Sequence, residues 1–275
     1  MTLARDDRSH DRDHALEVAN ACLSAFGESL SDATLTGTVL VAECGPAPMV
    51  VGLAESHPSV ERVMACEPDL AWLAEARAAC TFRSPRVHFS PKTWRDGGFA
   101  ASVFSASSCL NSLGGALDAR DAVGALSRST VPDGLVAVAV SDVSDAPLWH
   151  ELLAESAFAL GLEDVVGDAA SAAWTGEHRR QAAEAADVEW VASREVCVEM
   201  SFANADSYLQ SSWIQTINRA VWRPLAGQEL IDAAARRLRT YFAASPVTDL
   251  RVTRCDVGRV ADATLEVADV DLIVE

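Results

Sequence analysis

Two carboxylates and one glycine stand where this 275-residue chain is best placed to do ligand chemistry. The stretch VLVAECGPAPMVVGLAE (39–55) reads as an apolar strand, a turn and a helix, with Glu43 before the turn and Gly45 inside it. A second strand-like run, VERVMAC, leads directly into Glu67, Pro68 and Asp69. A carboxylate at a strand end accepts hydrogen bonds from an ammonium group or from two vicinal hydroxyls. Glycine lets backbone N–H groups come close to a ligand because it has no Cβ. The plainer readings are a strand-end carboxylate in solvent or paired with an arginine for Glu43, a simple turn for Gly45, and a helix N-terminal acid for Glu67.

Motifs that declare a mechanism are missing from the sequence. It has no G-x-S-x-G elbow, no H-E-x-x-H and no G-K-[ST], and the turn at Gly45 has one glycine where dinucleotide binding wants G-x-G-x-x-G. The six histidines show no metal-ligand spacing, so no metal is expected. The seven cysteines are scattered and never form C-x-x-C, which reads as buried small hydrophobes rather than disulfides or a zinc knuckle. His150, in APLWHELL, is the candidate general base for a phenol or hydroxyl; the alternative is an exposed or core histidine. Tyr208 and Trp213, in SFANADSYLQSSWIQTINRAVW, are candidate substrate contacts on a lid. The alternative is that they pack this insertion onto the rest.

These residues need strands and helices to hold them. Strand-like runs at 38–42, 60–66, 86–89, 100–106 and 135–141 alternate with helix-like segments at 49–55, 70–77, 116–129 and 146–160. The strands are apolar throughout, which implies a mostly parallel sheet covered on both faces. A helix is expected at Asp13–Phe26, behind a charged start (1–14) that should fray and that includes His10 and His14. After 172 come a helix (176–186), a long strand (189–202) and two helices (205–222 and 228–243). Alternation at Ala263, Leu265 and Val267, then Val270, Leu272 and Val274, suggests a last strand with a bulge near Ala268. The organisation expected is a tail and helix (1–30), an α/β domain (31–203), a helical insertion (204–247) and C-terminal strands (248–275) completing a seven-stranded sheet.

An acid, a glycine-poor turn, a helix and a second strand ending in an acid 24 residues later resemble the class I S-adenosylmethionine-dependent methyltransferases. VPDGLVAVAV resembles that family's L-x-P-G-G segment leading into strand five, and the alternating C-terminus resembles its antiparallel strand seven. The resemblance implies a Rossmann-like fold and S-adenosylmethionine as cofactor, with S-adenosylhomocysteine as product. It implies that Glu43 receives the donor's ammonium, that Gly45 is the first loop glycine, and that Ala47 and Met49 stand at the second and third glycine places. Glu67 would bind the ribose, with Pro68 and Asp69 near the adenosine edge. Thr93 and Trp94 would lie near adenine, while Ser105 and Ser107 would line the methyl-transfer pocket. The activity implied is methylation of a small organic molecule. A cyclase or isomerase using the same pocket, or an interaction subunit without catalysis, remains an alternative.

Composition narrows the partners. A net charge of −18, spread along the chain, repels nucleic acid and anionic membranes. No uninterrupted apolar stretch is long enough for a membrane span, so a cytoplasmic protein with a small-molecule acceptor is expected. Homodimerisation is left open.

Overall fold

Leu40 and Val41 are neighbours in sequence yet face opposite cores, which is why the first strand reads as an unbroken apolar run from Val39 to Ala42. The computed structural model describes residues 9–29, 35–81, 86–96, 98–141, 146–243 and 245–262. Among them, seven strands form one sheet: β1 (Gly37–Ala42), β2 (Val60–Cys66), β3 (Val87–Ser90), β4 (Phe104–Gly114), β5 (Thr130–Ser141), β6 (Val188–Phe202) and β7 (Val247–Val260), in the order β3-β2-β1-β4-β5-β7-β6. β1 to β5 pair in parallel, and β7 runs antiparallel to both of its neighbours.

One face packs on α1 (Ser9–Ser29), α2 (Pro48–Ser56) and α3 (Leu70–Cys80), through Val18, Cys22, Phe26, Val50, Leu53 and Ala76. The other packs on α4 (Gly115–Ser129), with α5 (Pro147–Leu160), α6 (Glu163–Ser171) and α7 (Gly176–Ala186) following β5. β5 shows the two-sided burial clearly: Leu135, Ala137 and Ala139 enter the first core, and Val136, Val138 and Val140 the second. Between β6 and β7 come α8 (Ala205–Gln210), α9 (Ser212–Ile217), a π-helical turn (Asn218–Trp222) and α10 (Arg223–Phe242). With α5 they build a third core around Trp149, Tyr208, Trp213, Trp222 and Leu238.

Several expectations shift. The start does not fray at 14: α1 begins at Ser9, because His14 continues the inward stripe of Val18 and Cys22, and Arg12 is paired with Glu75 of α3 at 2.7 Å. β4 lies later than 100–106 and runs on through SASSCLNSL, which is strand and not loop. β5 begins before its turn; Pro132, Asp133 and Gly134 form an irregularity inside it, with Asp133 at φ 61°. The segment 205–222 is not one helix, since Ser211 is extended and its hydroxyl accepts from the Ile214 N–H to start α9. The alternating run at 263–274 lies outside the described residues. No helix among the described residues is long and apolar enough to cross a membrane.

Candidate functional site

The chain leaves β1 on one side for β2 and β3 and on the other for β4, so the sheet opens a crevice at the carboxyl ends of β1 and β4. A cavity of about 200 Å³ lies there, walled by the turns after β1 and β2, the end of β4, α1, α9, the π turn and β7.

The turn after β1 has a repeating backbone. Glu43 (φ 51°), Gly45 (φ 54°) and Ala47 (φ 66°) are all left-handed, and Ala47 caps α2. The conformation that favours glycine therefore recurs at 43, 45 and 47, two residues earlier than the sequence register placed it. β1 has ended at Ala42, so Glu43 stands in a glycine-type place rather than closing the strand, and Met49 is buried inside α2. The Glu43 side chain is buried. Its Oε1 accepts from the Thr93 hydroxyl and from Arg95 Nη1 at 2.9 Å, the arginine pairing foreseen as the plain alternative. Arg95 also reaches Asp118 at 3.1 Å and lies 4.2 Å over the Trp94 ring. Burial pulls against the Arg95 charge, but Glu43 and Asp118 hold its pKa above the usual value.

Glu67 follows β2 and is buried against the same turn. Its Oε2 accepts from the Gly45 N–H at 2.8 Å and its Oε1 from the Asp69 N–H at 2.9 Å. Burial raises its pKa, and the two amides offset part of that rise. Asp69 is spent elsewhere: its carboxylate caps α3, accepting from the Ala71 and Trp72 N–H groups. Pro68 and the half-buried Trp72 form the neighbouring wall.

Glu43, Gly45, Glu67 and Pro68 thus line one cavity, while Thr93 reaches it only through Glu43, and Trp94 is buried beneath Arg95. Ser105 and Ser107 do not line it. They sit early in β4, bonded to the Thr38 carbonyl at 3.2 Å and the Thr130 hydroxyl at 2.8 Å, because the strand runs further than expected and brings Ser112 to the crevice. His150 does not line the cavity either; it lies 5.9 Å from the Trp222 ring, its pKa lowered by burial. Tyr208 and Trp213 are packed into the helical core, where the Tyr208 hydroxyl donates to Asp249 at 2.7 Å.

The far wall was not foreseen. It consists of His14, Ser212, Thr216, Arg219 and Arg251. His14 Nε2 is 2.9 Å from the Thr253 hydroxyl, which lies 3.1 Å from that of Ser141. Burial, with Arg251 nearby, lowers the His14 pKa to about 2, so the ring is neutral. A signal existed in DLRVTRC: Asp249, Arg251 and Thr253 share the parity of Val247 and Cys255, a polar row on a buried face.

No protein-family model matches the chain, and no curated protein matches its sequence. Solved structures do. YcgJ from Bacillus subtilis aligns at TM-score 0.51 and 13% identity over 87% of this chain and 99% of its own. A Bacillus halodurans protein assigned as a methyltransferase aligns at 0.51 and 16%, covering 87% of this chain and 100% of its own. The methyltransferase bound to the Trm112 activator of Haloferax volcanii aligns at 0.50 and 13%, over 95% and 100%. This is the class I methyltransferase fold. The cavity described above lies at the carboxyl ends of this fold's parallel strands, with Glu67 at the end of β2 and Glu43 in the turn after β1.

Proposed function

We propose that the protein is an S-adenosylmethionine-dependent methyltransferase acting on a small organic molecule, with the donor over the carboxyl ends of β1 and β2. Glu67 carries the reading. Its carboxylate is buried at the end of β2, faces the cavity and is fixed by two backbone amides. An ionised carboxylate has about four acceptor sites, so the two amides leave room for the vicinal hydroxyls of a ribose. Pro68 and Trp72 offer an apolar edge to the nucleoside, and S-adenosylmethionine when bound supplies an electrophilic methyl group. The rest of the work is alignment and exclusion of water by the walls that α1 and α9 provide.

The fit is good at the ribose end and tight at the turn. The cavity of about 200 Å³ is below the roughly 300–1,000 Å³ of most small-molecule sites. Glu43, held by Thr93 and Arg95, narrows the cavity at the turn, and in this reading a whole donor is seated with that side chain displaced. That same cluster favours a second reading, in which the fold and pocket serve a non-methylating enzyme or an interaction subunit.

Calorimetric titration with S-adenosylmethionine and S-adenosylhomocysteine separates the two. The wild type should bind both, and Glu67→Gln should weaken binding by about tenfold or more, the worth of a charge-assisted hydrogen bond. Absence of binding at millimolar ligand sinks the methyltransferase reading. Unchanged affinity in the variant removes the ribose role from Glu67.

A further inference from the structure

His14 has two ring nitrogens, and the described residues supply a hydrogen-bond partner to one of them. The residue sits on α1, buried, and lines the cavity beside Ala15. Its Nε2 is turned to the Thr253 hydroxyl on β7 at 2.9 Å, and that hydroxyl lies 3.1 Å from the Ser141 hydroxyl at the end of β5. Nδ1 makes no hydrogen bond among the described residues. The indole nitrogens of Trp94, Trp213 and Trp222 are sealed in the interior without a partner, but Nδ1 of His14 is not sealed in that way. With Nε2 turned to β7, the edge of the ring that carries Nδ1 opens on the cavity.

Which nitrogen carries the hydrogen follows from counting donors and acceptors. If Ser141 donates to Thr253 and Thr253 donates to Nε2, both hydroxyl hydrogens are used. If Nε2 instead donated to Thr253, the hydrogen of Thr253 or of Ser141 would be buried without an acceptor, at a cost of about 1–3 kcal/mol. The first arrangement is the stable one. Burial, with the Arg251 charge nearby, lowers the pKa of the ring to about 2, so the ring is neutral and its single hydrogen is on Nδ1. His14 therefore meets the cavity as a donor. It cannot act as a base there, because Thr253 engages the lone pair of Nε2 and Nδ1 has none to offer.

Place and charge decide what this N–H meets. Thr253 is on β7, four strands from β2, so the His14 ring is held on the side of the cavity away from Glu67 and the ribose proposed for it. Arg219, on the same wall, is already bonded to the Ser112 carbonyl and paired with Asp118. A neutral donor in a chain of net charge −18 suits an uncharged oxygen better than an anion. We propose that the His14 Nδ1–H binds a carbonyl oxygen of the small-molecule acceptor, which makes ketones and related carbonyl compounds the acceptor class. This deepens the methyltransferase reading and rests on it for the word acceptor.

The test separates a ligand contact from a structural one by isostere. The amide nitrogen of an asparagine side chain overlays Nδ1 of a histidine, whereas that of glutamine overlays Nε2, so asparagine keeps the donor toward the cavity and glutamine keeps only the bond to Thr253. The full chain loaded with S-adenosylhomocysteine is titrated with acetophenone and cyclohexanone, and binding is read by ligand-observed NMR. The wild type should bind both ketones, His14→Gln about tenfold more weakly, and His14→Asn within about threefold of the wild type. Binding of neither ketone by the wild type, equal losses in the two variants, or no loss in His14→Gln overturns the proposal. Ring ¹⁵N spectra of the wild type need no variant to fold: hydrogen on Nδ1, with a resonance that moves on adding acetophenone, is the expected result, and hydrogen on Nε2 overturns the proposal. So does a His14→Gln variant that loses affinity for S-adenosylhomocysteine but not for 5′-methylthioadenosine, since the oxygen would then be the donor's own. Repeating the titrations without S-adenosylhomocysteine keeps the two readings apart. Ketone binding that depends on His14 in a protein that binds no donor leaves the contact standing and sinks only the methyl transfer.

Discussion

Glu43 holds a backbone conformation made for glycine, at a cost of about 1–2 kcal/mol, and Thr93 and Arg95 keep it there. Replacing it with glycine removes both the strain and the side chain that fills the mouth of the turn. Glu43→Gly should therefore bind S-adenosylhomocysteine more tightly, by about tenfold, in a calorimetric comparison with the wild type. Weaker binding would mean that the carboxylate itself is a donor contact. His14 makes a separate prediction. Its folded pKa of about 2 lies below the ordinary 6.5, so below pH 6.5 the unfolded chain takes up a proton that the native chain refuses. Stability is full above that pH and falls by about 2 kcal/mol between pH 7 and pH 5. Glu67 and Asp249, raised by burial, act in the opposite sense in the carboxylate range, so the comparison must be with His14→Gln, whose urea-unfolding profile should be flatter by that amount. At this scale the sequence was partly legible. Glu43, Gly45 and Glu67 could be singled out because they stand after apolar strands, but Arg219 and Arg251 could not, because only the fold brings residues so far apart in sequence to one cavity.

Among the elements, the end of β4 controls how the site is assembled. Gly114 lets α9 and the π turn lie against the sheet, and an alanine there meets Ala220 and the Thr216 backbone. Gly114→Ala should cost about 1–3 kcal/mol in urea unfolding, the usual range for overpacking. A neutral effect would show that the insertion slides freely on the sheet. β1 and β2 could be read as apolar runs and α4, α5 and α7 from periodicity, since each of these helices has a buried face that repeats regularly. β4 was misplaced because its SASSCL stretch is polar by composition, yet Ser107 and Ser108 are buried and bonded within the sheet. The 205–222 segment was read as one helix because the stop at Ser211 rests on a single extended residue, which periodicity does not see.

For the whole molecule, charge sets the terms of access. A net charge of −18 opposes the approach of any anion. Raising salt screens that field beyond a Debye length. The contact between His14 and Thr253 spans 239 positions and joins α1 to β7. A site built this way has no early version during synthesis. Until β7 has been made, the nascent chain has Glu43 and Glu67 but lacks Arg251 and the partner of His14, and the cavity is complete only once that strand has joined the sheet.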